Sequence, residues 1–249
     1  MINLKSVSIG YKKYVVLSDL NAEISAGEML CLIGQNGCGK STLLRTMAGL
    51  QAPLAGVCRI NGQDVNALNV NDRAKLISLA LTDKIEVENF TVFDLVSAGR
   101  YPHTDWLGNL TDNDKQIIRH AIELTGISHK QNSFLSELSD GEKQRAIIAK
   151  ALAQSTPIII LDEPTAHLDL PNRIKTMSLL KKLSREQGKT ILLSTHELDL
   201  AMQHADKIWL MTGDSTLRQA QCIANSATML CGLPTDKEFE RAIKEHFEL

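Results

Sequence analysis

No apolar run in this chain approaches the ~18 residues that a membrane-spanning helix needs. Residues 1–13 also lack the apolar core of a secretory signal, so a soluble chain is expected, with any membrane role reached through a partner. The five cysteines (Cys31, Cys38, Cys58, Cys222 and Cys231) are odd in number and lack closely paired spacing. That argues against a disulfide framework or a zinc site and for a reducing compartment. Charge of one sign is lacking too: 27 Lys and Arg face 29 Asp and Glu, for a formal net charge of −2. A broad nucleic-acid footprint is therefore not expected. There is no internal repeat and no low-complexity tract. What remains is a 249-residue chain with 43% apolar residues, enough for a real core in one large domain or a domain with a subdomain.

One stretch carries a sharp signal. Gly34-Gln35-Asn36-Gly37-Cys38-Gly39-Lys40-Ser41-Thr42 fits G-x-x-x-x-G-K-[ST], a loop that wraps phosphates. Its glycines let backbone N–H groups turn onto oxygen atoms with no Cβ in the way. Lys40 is placed to add a point charge on β- and γ-phosphates, and the Ser41 hydroxyl to hold Mg²⁺. The flanks agree with that reading. Residues 29–33 are an apolar run expected as a buried strand. Residues 41–50 read as a helix with Leu43, Leu44 and Met47 on one face and Gly49 near its end. The positive end of that helix points at the same phosphates.

Around this loop the pattern is that of an α/β chain. Residues 2–9 alternate as a half-buried strand does, Tyr11 follows on a turn after Gly10, and residues 15–24 form a second strand-like stretch. An antiparallel start is thus expected. Residues 57–60 read as a short strand and Asn61-Gly62 as a hairpin turn. Residues 77–81 read as a buried strand, 82–89 as a polar loop, and 91–98 as a short helix with Phe93 and Val96 inward. Arg100-Tyr101-Pro102-His103-Thr104 breaks that helix. Another helix begins at Thr111 and stops at Gly126. The next runs from 138 to about 154, with Ser139 and Glu142 at capping-box spacing. Strands over 157–161, 190–193 and 207–211 flank a helix over 171–187. Phe239, Ile243 and Phe247 predict a terminal helix packed by one stripe. The organisation expected is one domain over 1–249, with a helical insertion over about 82–155 and a C-terminal extension over 212–249.

Several side chains add chemistry. Asp162 ends a buried strand, where a carboxylate can reach a Mg²⁺ held by Ser41; the adjacent Glu163 can polarise a water as a general base. A surface turn is the plainer reading of two such acids. His196 ends a strand, suited to a γ-phosphate contact or to steering the water, though a histidine there is more often structural. Tyr11 has the face to stack on an adenine base, or it is a surface tyrosine.

In order, residues 34–42, 138–142, 158–163, Leu168-Asp169 and His196 resemble the ATP-binding cassette (ABC) ATPases over residues 1–211. The resemblance implies a P-loop NTPase (RecA-like) core with an antiparallel β subdomain and a helical subdomain. It implies ATP and Mg²⁺, with Gly34, Gln35, Asn36, Gly37, Cys38, Gly39, Lys40, Ser41 and Thr42 around the phosphates and Tyr11 stacked on adenine. Ser41 and Asp162 then hold Mg²⁺, Glu163 is the catalytic carboxylate, His196 the switch histidine and Asp169 the D-loop acid. In that family two cassettes meet head to tail. Leu138, Ser139, Asp140, Gly141 and Glu142 would close on the partner's nucleotide, which agrees with a capped helix start as an anion site.

Gly99-Arg100-Tyr101-Pro102-His103-Thr104 further resembles the import cassettes for iron–siderophore, haem and cobalamin. That implies a homodimeric ATPase subunit, peripheral on the cytoplasmic face of the inner membrane. It would energise transmembrane permease subunits and, through them, serve a substrate-binding protein, with no role for nucleic acid. Residues 82–107 would dock the permease, with Arg100, Tyr101, His103 and Trp106 exposed. A regulatory cassette with weak hydrolysis and a soluble ABC ATPase, such as an iron–sulfur assembly factor, are the alternatives. Two departures from the family pattern bear on turnover and coupling: Thr82 stands where the family has glutamine, and Asp140 where the signature has its first glycine.

Overall fold

The computed structural model describes residues 1–12, 14–81 and 89–211, and the backbone of 217–221. Thr82 and the terminal helix expected around Phe239 lie outside the described residues. The chain packs as two units, residues 1–68 with those from 180 on, and residues 69–179.

In the first unit, β1 (Ile2–Tyr11) pairs antiparallel with β2 (Tyr14–Ile24), as its alternating pattern requires. Tyr11, expected on a turn, is instead the last residue of β1, opposite Tyr14. β3 (Met29–Gly34) is buried along its whole length and leads through the phosphate loop into α1 (Lys40–Met47). β4 (Ala55–Ile60) then pairs with the other edge of β1 and turns into β5 (Gln63–Asp64). Asn61 and Gly62 make that two-residue turn with φ of 50° and 83°, the left-handed pair that matches strand twist.

The second unit holds α2 (Val70–Leu76), β6 (Ile77–Ala80), α3 (Val92–Ser97), α4 (Asp112–Leu124), α5 (Asp140–Ala153) and β7 (Ile158–Leu161). It also holds the first part of α6 (Leu170–Gln187). β6 and β7 run parallel, and all four residues of β7 are buried. Thr91, Thr111 and Ser139 each cap a helix in a reciprocal capping box, with Asp94, Asp114 and Glu142. In α3 the buried face is Val92, Leu95 and Val96: Val96 lies inward as expected, whereas Phe93 is only half-buried and Leu95 takes the other inward place.

The expected break after α3 is a 3₁₀ turn, Ala98–His103, and it overturns one reading of the sequence. Arg100 is not an exposed contact residue; it is 5% exposed. Its Nε bonds Asp114 at 2.9 Å, and its Nη1 donates to the Ala153 carbonyl and the Ser155 hydroxyl. Gly99 permits this, because a Cβ there would lie 2.3 Å from the Lys150 carbonyl oxygen.

The first unit resumes with β8 (Thr190–Thr195), α7 (Leu198–His204), β9 (Lys207–Met211) and β10 (Leu217–Gln221). β3 lies parallel to both β8 and β9, and β10 closes antiparallel on β9. A strand buried on both faces between parallel neighbours explains the unbroken apolar run of residues 29–33. Among the described residues, no helix is long and apolar enough to cross a membrane.

Candidate nucleotide-binding site

The register of β3 brings the first half of the site to one edge. Ile33 lies opposite Thr195 and Gly34 opposite Met211, so the loop leaves β3 beside the carboxyl ends of β8 and β9. His196 follows directly on Thr195 and is exposed at that same edge. Ligands of open parallel sheets bind at such carboxyl ends.

Gly39 is the N-cap of α1 with φ 105°, and no side chain caps the helix. Backbone N–H groups of the first turn are thereby left to a ligand, and the helix dipole favours an anion there. Gly39 has a second constraint: a Cβ would sit 2.1 Å from Val16 Cγ1. A Cβ at Gly34 would lie 2.7 Å from both Cys38 Sγ and the Met211 carbonyl oxygen. Gly37 also has positive φ, 82°, but faces open space. Lys40 folds back over the loop and donates to the carbonyls of Gly34 (2.9 Å) and Gln35 (3.1 Å). Ser41, half-buried, stands one residue on. Tyr11 is 52% exposed and shares a hydrogen bond of 3.2 Å between its hydroxyl and that of Thr42. That bond ties β1 to α1 and leaves much of the ring open to solvent. Gln35 and Asn36 are exposed, and Cys38 is half-buried.

The second unit carries the other candidates. Asp162 is buried directly after β7, and its backbone N–H bonds the Ala80 carbonyl at 2.9 Å. Glu163 is half-buried with φ 47°, a left-handed backbone that costs a residue with a Cβ about 1–3 kcal/mol. Pro164 follows it. Asp169 caps α6: its Oδ1 accepts from the Asn172 N–H at 3.1 Å and its carbonyl from Arg173. Leu138 is buried, Ser139 caps α5, Asp140 is exposed, and Gly141 lies so close to Asn172 that a Cβ would meet its Cγ at 2.8 Å. Glu142 holds its carboxyl below the usual range, first through the Ser139 backbone N–H and then through the Ser139 hydroxyl.

The structure thus gathers Tyr11, residues 34–42 and His196 in one unit, and places Asp162, Glu163, Asp169 and residues 138–142 in the other. Sequence reasoning missed the contacts of Val16, Met211 and Asn172 with glycines, which no local pattern signals.

A glycine-rich loop between a buried parallel strand and an uncapped helix, with a lysine folded over it, defines a P-loop nucleotide-binding protein. A family model described as ABC transporter matches residues 17–166. An uncharacterized ABC transporter ATP-binding protein of Methanocaldococcus jannaschii is 42% identical over 211 residues, covering 85% of this chain and 73% of that protein. The iron(3+)-hydroxamate import ATP-binding protein of Bacillus subtilis is 40% identical over 200 residues, covering 80% and 74%. Other relatives are achromobactin and ferric enterobactin transport ATP-binding proteins and a cobalamin import ATP-binding protein. Among solved structures, a dimeric ATP-binding cassette in a post-hydrolysis state with ADP and Pi superposes with a TM-score of 0.77 at 28% identity, over 90% of this chain and all of that one. The chain belongs to the ABC transporter family, and it is an ATP-binding cassette and an ATPase.

Proposed function

We propose that this chain is the energising ATPase of an importer for an iron chelate (siderophore or haem) or for cobalamin. The observation that carries the nucleotide half of this reading is the uncapped start of α1, with Gly39 in a left-handed conformation and Lys40 over the loop. The importer half is supported by the import relatives. Tyr11 stacks the adenine, residues 34–42 wrap the phosphates, and Lys40 leaves the loop carbonyls for the β- and γ-phosphates. By the family resemblance Ser41 and Asp162 would hold Mg²⁺, and each brings a hard oxygen donor of the kind that ion prefers. Mg²⁺ held there would supply charge neutralisation of the triphosphate. Glu163 accepts the proton of the attacking water, and His196 positions that water or the γ-phosphate.

Two copies close head to tail around ATP, Ser139 and the start of α5 reaching the partner's γ-phosphate. Asp169 holds the start of α6 beside that interface. Closure drives transmembrane permease subunits, which receive cargo from a substrate-binding protein. The cassette works from the cytoplasmic face of the inner membrane.

The test is Glu163→Gln in the purified complex. ATP affinity is expected to hold while hydrolysis falls about 10²–10⁴-fold, the usual loss with a general base, and ATP-bound dimer accumulates. Near wild-type turnover would remove Glu163 from its role.

A further inference from the structure

Ser139 has one hydroxyl hydrogen, and in this structure it is already committed. The hydroxyl donates to Glu142 Oε2 at 2.8 Å, and the same oxygen takes the Ser139 backbone N–H at 2.9 Å. In return the Glu142 N–H reaches Ser139 Oγ at 3.4 Å. The other carboxylate oxygen, Oε1, lies 3.7 Å from His129 Nε2. Lys130 and Arg145 are the cations whose field reaches this carboxylate. The Glu142 side chain is 16% exposed, so it is fixed in place at the front of α5.

We propose that Glu142 is a brake on head-to-tail closure: it keeps the Ser139 hydroxyl in the chain's own helix cap, and its charge opposes the partner's triphosphate. This rests on the reading that Ser139 meets the γ-phosphate of a second copy. To donate there, the hydroxyl must leave Glu142, which strands a carboxylate 2.8 Å from the very hydroxyl oxygen that the incoming phosphate would engage. The two signature acids differ in kind. The Asp140 side chain is exposed and has no hydrogen bond or ion pair among the described residues, so it can swing into water. Glu142 cannot leave without opening the box that caps α5. Lys130 and Arg145 offset part of its charge, and neither takes the Ser139 hydroxyl in its place.

An amide at position 142 would keep the cap, because glutamine serves the same box through its carbonyl oxygen. Glu142→Gln therefore removes the charge and preserves the fold. The experiment uses the full chain in the Glu163→Gln background, where ATP is not consumed. Dimer is followed by sedimentation across an ATP titration. Glu142→Gln is expected to lower the ATP concentration for half-closure at least ~5-fold, the effect of one like charge removed at about 4 Å even at the dielectric of water. The gain is expected to shrink between roughly 0.05 and 0.5 M salt, which a packing effect would not do. Ser139→Ala in the same background is expected to abolish closure. If Ser139→Ala impairs closure but Glu142→Gln leaves it unchanged or weakens it, the brake is wrong and the signature reading stands. If Ser139→Ala closes as well as its parent, the signature reading fails and takes the brake with it.

Discussion

Gly37 and Gly39 differ by two positions in the loop and have unlike jobs. Both have positive φ, yet a Cβ at Gly37 meets nothing within 4 Å, whereas one at Gly39 runs into Val16. Gly37→Ala should cost only backbone strain, about 1–2 kcal/mol. Gly39→Ala adds a clash with a packed side chain and should cost about 3 kcal/mol or more and disturb the start of α1. Thermal melts should show a drop of roughly 2–4 °C per kcal/mol in a chain of this length. ATP titration should show loss of binding for Gly39→Ala and a milder defect for Gly37→Ala. Equal effects of the two would contradict the geometry. Lys40→Ala bears on the nucleotide reading itself. It removes a charge that now bonds two loop carbonyls, so ATP affinity or hydrolysis should fall sharply with little change in melting. Unchanged binding and turnover together would count against the loop's role. The loop was legible because its residue types are dictated by local backbone geometry. The reason Gly39 tolerates no side chain was not, since Val16 is far away in sequence and is brought there by packing.

Elements were legible where their ends are chemically marked. Thr111 and the Ser139–Glu142 pair gave the start signals of α4 and α5, and the structure has a capping box at each, with Asp114 completing the first. β3 and β7 were legible as apolar runs too short for helices. α2 was not, because it buries no residue and so has no stripe to read; only Asn69, capping through Asp72, marks it. Arg100 was misread because charge implies exposure until a partner is seen, and its partner Asp114 is also a capping residue of α4. One carboxylate thus serves two elements. Asp114→Ala strands a buried guanidinium and should destabilise the chain by about 3 kcal/mol, measured by denaturant melts. The Asp114 carboxyl is held below its ordinary value of 3.8, chiefly by the Thr111 hydroxyl and also by Arg100. A lowered folded value means stability that is present above about pH 4 and lost as pH falls through the folded value. Wild-type stability should therefore drop steeply on acidification below pH ~4, and Asp114→Asn should flatten that slope. An identical acid profile for both would exclude the linkage.

At the scale of the whole molecule, what remains exposed says where a partner goes. In a chain that is 4% aromatic, Tyr101 is 64% exposed, Trp106 91% and Leu107 63%, all within seven residues. Asp105 arranges this tip: its Oδ1 accepts the backbone N–H groups of Leu107 and Asn109, so Trp106 is displayed by a structured turn. The burial of Arg100 sharpens the docking expectation, because it ties the 3₁₀ turn to α4 and the end of α5 and so fixes the base from which Tyr101 projects. Large aromatic side chains held out on rigid supports are the residue types that dominate interface energetics. We predict that this tip docks the permease, and that Tyr101 and Trp106, not Arg100, carry the contact energy. Alanine at both positions should weaken assembly with the cognate permease at least ~10-fold, since each interface hot spot is typically worth ~2 kcal/mol. ATP affinity of the isolated chain should be unchanged, because both side chains belong to the other unit from the loop of residues 34–42. Arg100→Ala should behave differently, lowering the melting temperature of the isolated chain before any partner is added. Co-purification with the permease, ATP titration and melting of the same three proteins separate these outcomes. A Tyr101 and Trp106 double variant that assembles fully and supports normal import would move the docking surface elsewhere on the chain.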